Sequence, residues 1–158
     1  MKSKIAIGEF QRLSASTLPI ADLFGMRVES LTAGRARTRM PFKTALTRPG
    51  GTIAGPALMG LADYTMYAVL LSLIGKVEMA VTITLSTSFL RRPRAADVIG
   101  DGRMIKLGKR LAFMEVTLYS EGEDDPVAHA TGTYSIPPTT EMAKGNIRRT
   151  KKRIKKST

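Results

Sequence analysis

The chain has 158 residues, 43% of them hydrophobic and 24% charged, which suits one domain with a real core and gives no sign of two. It contains no cysteine, which excludes a disulfide framework, a thiolate nucleophile and a cysteine-based metal site, and is compatible with a reducing interior. The formal charge of +12 suggests nucleic-acid binding until it is located: eight of the 25 basic residues fall in 144–158, with no acid among them, and the body is only mildly basic.

In chain order, residues 1–17 show little period and no apolar run long enough for a secretory signal, so they read as an N-terminal extension of a cytoplasmic protein. A short helix is predicted over 19–24 and a first strand over 26–31. Residues 35–42 then alternate, with Ala36, Thr38, Met40 and Phe42 on one face and Arg35, Arg37 and Arg39 on the other, as in a sheet with one wet side. A loop over 43–54, containing Arg48-Pro49-Gly50-Gly51, leads into GPALMGLADYTMYAVLLSLI, residues 55–74. Pro56 in the first turn and Gly75-Lys76 beyond the last predict one long helix there. Its length would permit a membrane span, but an aspartate at the centre of a lone span is costly, so no transmembrane segment is expected. Apolar residues run nearly all round it, and burial on most sides follows.

After the helix the period returns to two. Val81, Ile83, Leu85, Thr87 and Phe89 oppose Thr82, Thr84, Ser86 and Ser88, and Arg91-Arg92-Pro93 stops the strand. Further strands are predicted over 96–107, 111–120 and 127–136, with a turn at Gly108-Lys109. Consecutive strands with short turns favour an antiparallel sheet, and one helix too apolar for solvent is what that sheet must wrap. The class is therefore α+β: a curved antiparallel sheet of five or six strands around one helix, in a domain over 18–138. Such a sheet leaves one side poorly covered, so self-association is expected. The remaining 139–158 cannot build a core and read as a flexible, basic tail able to bind polyanions.

The chemistry centres on Asp63, the single ionisable group of the long helix. Burying an ionised carboxylate without partners costs several kcal/mol, so it must be hydrogen-bonded, neutralised or set beside water in a cleft. Together, Gly55-Pro-Ala-Leu-Met-Gly-Leu-Ala-Asp63, the strand end Ser86-Thr-Ser-Phe-Leu-Arg91 and the turn Gly108-Lys109-Arg110 are similar to the acyl-CoA thioesterases of the phenylacetate-pathway group, over about 18–138. The resemblance implies the hotdog fold, a dimer or dimer of dimers with sites shared between subunits, and hydrolysis of an acyl-CoA to free acid and CoA. It also implies Asp63 as general base or nucleophile, Gly55 as backbone donor to the thioester carbonyl, and no cofactor or metal beyond the CoA of the substrate. Helix geometry agrees on one point: Asp63 lies about 12 Å along the axis from Gly55, so one helix cannot present both to one carbonyl.

This chain departs from the pattern at the helix start, where Ala54 stands in the position of a histidine, Pro56 in that of a second glycine and Arg48 in that of an asparagine. Pro56 also removes one N–H donor from the substrate-binding helix start. Phosphates of CoA require cations, and Arg91, Arg92, Arg94, Lys109 and Arg110 are the candidates, with Arg48 able to meet carboxylate or phosphate. His129, the only histidine, falls among polar-face residues Thr131 and Thr133, a surface position with nothing at recognisable spacing to orient it. Tyr64, Met66 and Tyr67 read as core or pocket lining. The second reading is a protein of the same fold that holds an acyl-CoA or other acyl ligand without hydrolysing it.

Overall fold

The computed structural model describes residues 1–138; the basic tail and its expected polyanion partner lie outside the described residues. Helices α1 (Ile7–Thr17) and α2 (Pro19–Phe24) precede strands β1 (Arg27–Thr32) and β2 (Arg35–Met40). Two-residue strands β3 (Thr47–Arg48) and β4 (Thr52–Ile53) pair with each other just before α3 (Gly55–Ile74). Then come β5 (Val81–Phe89), β6 (Val98–Leu107), β7 (Leu111–Ser120) and β8 (Pro126–Ser135). One antiparallel sheet of six strands has the order β1-β2-β6-β7-β8-β5.

α3 matches its predicted bounds because its stops are local: Ala54 is extended, Pro56 occupies the first turn and Gly75 leaves the helix at φ 80°. Leu61, Met66, Leu70 and Leu71 are fully buried, each worth about 2 kcal/mol in removed apolar surface. The helix passes very close to β6. A Cβ on Gly100 would sit 2.7 Å from Thr38 Oγ1 and 2.8 Å from Thr65 Oγ1, so only glycine admits this approach. Beneath it the two threonine hydroxyls share a hydrogen bond of 2.6 Å, and Thr65 Oγ1 also lies 2.6 Å from the Leu61 carbonyl.

Residues 1–17, expected as an N-terminal extension, pack against the domain. Phe10 is fully buried and meets Tyr64 edge-on at 5.5 Å and Tyr67 at 5.7 Å, so α1 covers the flank of α3 that the sheet leaves open. Only Phe10, Leu13 and Ser14 of α1 are buried, too few to show a helical period.

The outer face of the sheet is charged, as the Arg35–Arg39 alternation required. Arg39 reaches Glu29, Asp97 and Glu121 together. Burial pushes the Asp97 carboxyl up, but the Phe42 N–H and the Arg39 guanidinium outweigh it and hold the group below the usual carboxylate range.

Candidate active site

Asp63 projects from the middle of α3 towards the β5–β8 edge of the sheet. Its Oδ1 accepts hydrogen bonds from Thr82 Oγ1 at 2.6 Å and from Tyr134 Oη at 2.7 Å. Tyr134 Oη lies 3.0 Å from the Asp63 carbonyl oxygen as well, pinning side chain and backbone at one point. Among the described residues nothing donates to Oδ2. The residue is half-buried and lines a cavity of about 420 Å³, open to solvent, whose walls include Leu18, Ile20, Ala21 and Tyr67. Burial and then the Asp63 charge push the Tyr134 phenol well above its ordinary value, so it remains a donor throughout the neutral range.

The two donors were not legible as such. Strict alternation along β5 turns Val81 and Ile83 inward and Thr82 outward, but a bulge between Thr82 and Thr84 reverses the phase. Leu85 pairs with Gly132 on the helix side, whereas Thr82 pairs with buried Tyr134 and faces Asp63. Ile83 is the surplus residue and is exposed. Tyr134 stands 71 residues from Asp63, and only the sheet joins them.

Gly55 lies at the other end of β5. Ala57 and Leu58 both donate to the Ala54 carbonyl and Pro56 has no N–H. Gly55 N–H is thus the one donor at the helix start without an acceptor among the described residues. The ring of Phe89 rests on this glycine, 3.2 Å from where a Cβ would be, so a side chain here would press the ring outward. A second cavity, of about 490 Å³, joins Gly55 and Phe89 to Arg48, Arg91 and Arg92. Pro56 is exposed and does not line it.

The remaining cations divide. Arg94 pairs with Glu123 at 3.3 Å, outside both cavities. Lys109 and Arg110 occupy the β6–β7 turn, where Arg110 Nε donates to the Ile136 carbonyl at 2.8 Å. In the register of β8, Phe89 pairs with Ala128, while Val81 and Leu111 both pair with Ser135. Seven residues of strand, about 23 Å, therefore separate Arg91 and Arg92 from Lys109 and Arg110 in one chain. Asp63, bound to Thr82 and Tyr134, sits at the Lys109 end. His129 contacts Thr117 Oγ1 at 3.1 Å and Glu115 Oε2 at 3.3 Å on the outer face of the sheet, away from Asp63. Among the described residues no three His, Asp or Glu side chains gather as a metal site.

A family profile described as the thioesterase superfamily matches residues 50–127, a span running from the helix start through β5, β6 and β7. A candidate esterase of the archaeon Saccharolobus solfataricus is 31% identical over 118 residues, covering 74% of this chain and 77% of that one. The chain belongs to the thioesterase superfamily. Its sheet wrapped on one apolar helix is the hotdog thioesterase fold. The structure of a candidate thioesterase from a Silicibacter species superposes with a TM-score of 0.79 at 35% identity, covering 87% of this chain and 96% of that one. A mutant of the phenylacetic acid degradation protein PaaI from Thermus thermophilus superposes at 0.67 with 26% identity, over 75% of this chain and 99% of its own. The resemblance drawn from Gly55–Asp63 and its companion motifs is thereby borne out.

Proposed function

We propose that this thioesterase-superfamily chain is a cytoplasmic acyl-CoA thioesterase of the phenylacetate-pathway type, releasing free acid and CoA, and that it works as a homodimer or an assembly of such dimers. One observation carries the reading. A carboxylate inside an apolar helix is tied by two hydroxyls through a single oxygen, while its other oxygen has no donor among the described residues and the residue opens on an apolar cavity. An aspartate sealed into the core for structure alone would have both oxygens satisfied by the chain.

Asp63 Oδ2 accepts a proton from water as the water oxygen bonds to the thioester carbon. The C–S bond then breaks, and the CoA sulfur leaves with that proton. Direct attack by Oδ2 would instead break the C–S bond, expel the CoA thiolate and leave an acyl anhydride on Asp63; water then opens it, giving free acid and the aspartate, and its proton goes to the thiolate. The oxyanion is met by Gly55 N–H of the partner subunit at the positive end of its helix. The sheet edge supports this pairing. β5 is an outermost strand carrying exposed Val81, Ile83 and Phe89, the kind of apolar edge that recruits another strand. A copy joined antiparallel about Leu85 sets the Phe89 end of one chain against the Val81 end of the other, bringing Asp63, Lys109 and Arg110 towards Gly55, Arg48, Arg91 and Arg92 of the partner subunit. These cations then serve the CoA phosphates, with Arg94 at their margin.

The test is a panel of short, medium and aryl acyl-CoAs on the full chain. Asp63→Asn should cut kcat by about a hundredfold or more, as loss of a general base does. Equal, slow turnover by wild type and variant on every ester would end the enzyme reading. Tight binding of esters without turnover would select the second reading, a holder of acyl ligands, which the sparse donor set left by Ala54 and Pro56 favours.

A further inference from the structure

The cavity beside Asp63 has a wall of its own making. Leu18, Ile20 and Ala21, at the junction of α1 and α2, form it and face Tyr64 and Tyr67 of α3. This wall precedes residue 50, where the family profile begins to match. The volume of about 420 Å³ is well above the ~150 Å³ that accommodates benzene, so an acyl group much larger than acetyl fits. Its charges are one-sided. Asp63 and Glu78 are the only carboxylates on the lining among the described residues and no Lys, Arg or His joins them; Lys76, which pairs with Glu78 at 3.2 Å, is not on the lining.

We infer that the α1–α2 segment is the acyl-selecting wall of this enzyme, and that the cavity takes uncharged acyl groups of medium length while rejecting those ending in a carboxylate. The inference rests on the thioesterase reading for its reaction, but its physics concerns binding. A terminal carboxylate would enter an apolar space that holds the Asp63 carboxylate and no cation, Glu78 being paired with Lys76 outside the lining, whereas a methyl end would lose only its contact with water.

Hexanoyl-CoA and adipoyl-CoA have acyl chains of equal length and differ in the terminal group, so they isolate the effect. Wild type should favour hexanoyl-CoA in kcat/KM by about a hundredfold. Ile20 is half-exposed on the wall and Ile20→Lys should fold; it supplies the missing cation. The hexanoyl-to-adipoyl ratio should then fall at least tenfold, mainly through KM, since the contact is the same in ground and transition states. A wild-type ratio near one, or a ratio that Ile20→Lys leaves unmoved, overturns the inference. Should the chain turn over neither ester, the hydrolase reading fails, and calorimetry decides the wall separately. S-hexyl-CoA should bind more tightly than S-(5-carboxypentyl)-CoA, and Ile20→Lys should narrow the gap. Equal affinities, or a gap the variant does not change, overturn the inference.

Discussion

Two polar side chains stand two residues apart on α3 and have opposite fates. Thr65 is sealed between the Thr38 hydroxyl and the Leu61 carbonyl beneath Gly100, with no exposed surface. Asp63 is tied through one oxygen only and opens on a cavity. The hydrogen bonds are equally short, so strength does not separate them. What separates them is whether any capacity is left over: the threonine pair closes the core, while the carboxylate keeps one oxygen in reserve.

The sharpest way to break this contrast is Asp63→Asn. Besides its loss of activity, the variant should melt no lower than wild type, because a half-buried charge is removed and the shape is kept; a large drop in Tm would make Asp63 a structural residue. Gly100→Ala comes next. Its methyl group has no room beside Thr38 and Thr65, and a loss of about 2 kcal/mol is expected in denaturant unfolding, with per-molecule activity little changed. Tyr134→Phe removes one of the two donors to Oδ1. It should lower kcat about tenfold, since the carboxylate loses one of its two anchors. Burial and the Asp63 charge raise the Tyr134 phenol, so its contribution to stability is complete below about pH 10 and lost as pH climbs through the raised value; the variant should lack that alkaline loss. Thr65→Val is the smallest effect, about 1 kcal/mol of stability with kcat untouched, and a change in kcat would blur the contrast.

The sequence showed most clearly what is local. The bounds of α3 follow from Pro56 and Gly75, the faces of β2 from unbroken alternation, and the isolation of Asp63 from its apolar neighbours. What depended on register was hidden. Strict alternation sets Thr82 opposite Leu85, because a bulge carries no composition signal, and Tyr134 is joined to Asp63 only through sheet pairing. The cations show the same limit. Arg91 and Lys109 both read as phosphate partners, yet β8 holds them about 23 Å apart in one chain, and only a second chain could reunite them. α1 was missed because its grip on the core comes largely from Phe10 and Leu13.

The surplus Ile83 acts like a frameshift written in backbone. Downstream of it the strand is read in one phase, with Leu85 and Phe89 turned to the helix; upstream the same alternating letters are read in the other, and a hydroxyl arrives where an aliphatic chain was due. Excising Ile83 would leave Thr82 in its inward phase, while straightening the strand with that residue retained would rotate Thr82 out and present a hydrocarbon to the aspartate. Flattening one bulge in an edge strand is therefore a short evolutionary step by which this scaffold could discard the Thr82 half of its carboxylate clamp without altering a residue of the helix that bears it.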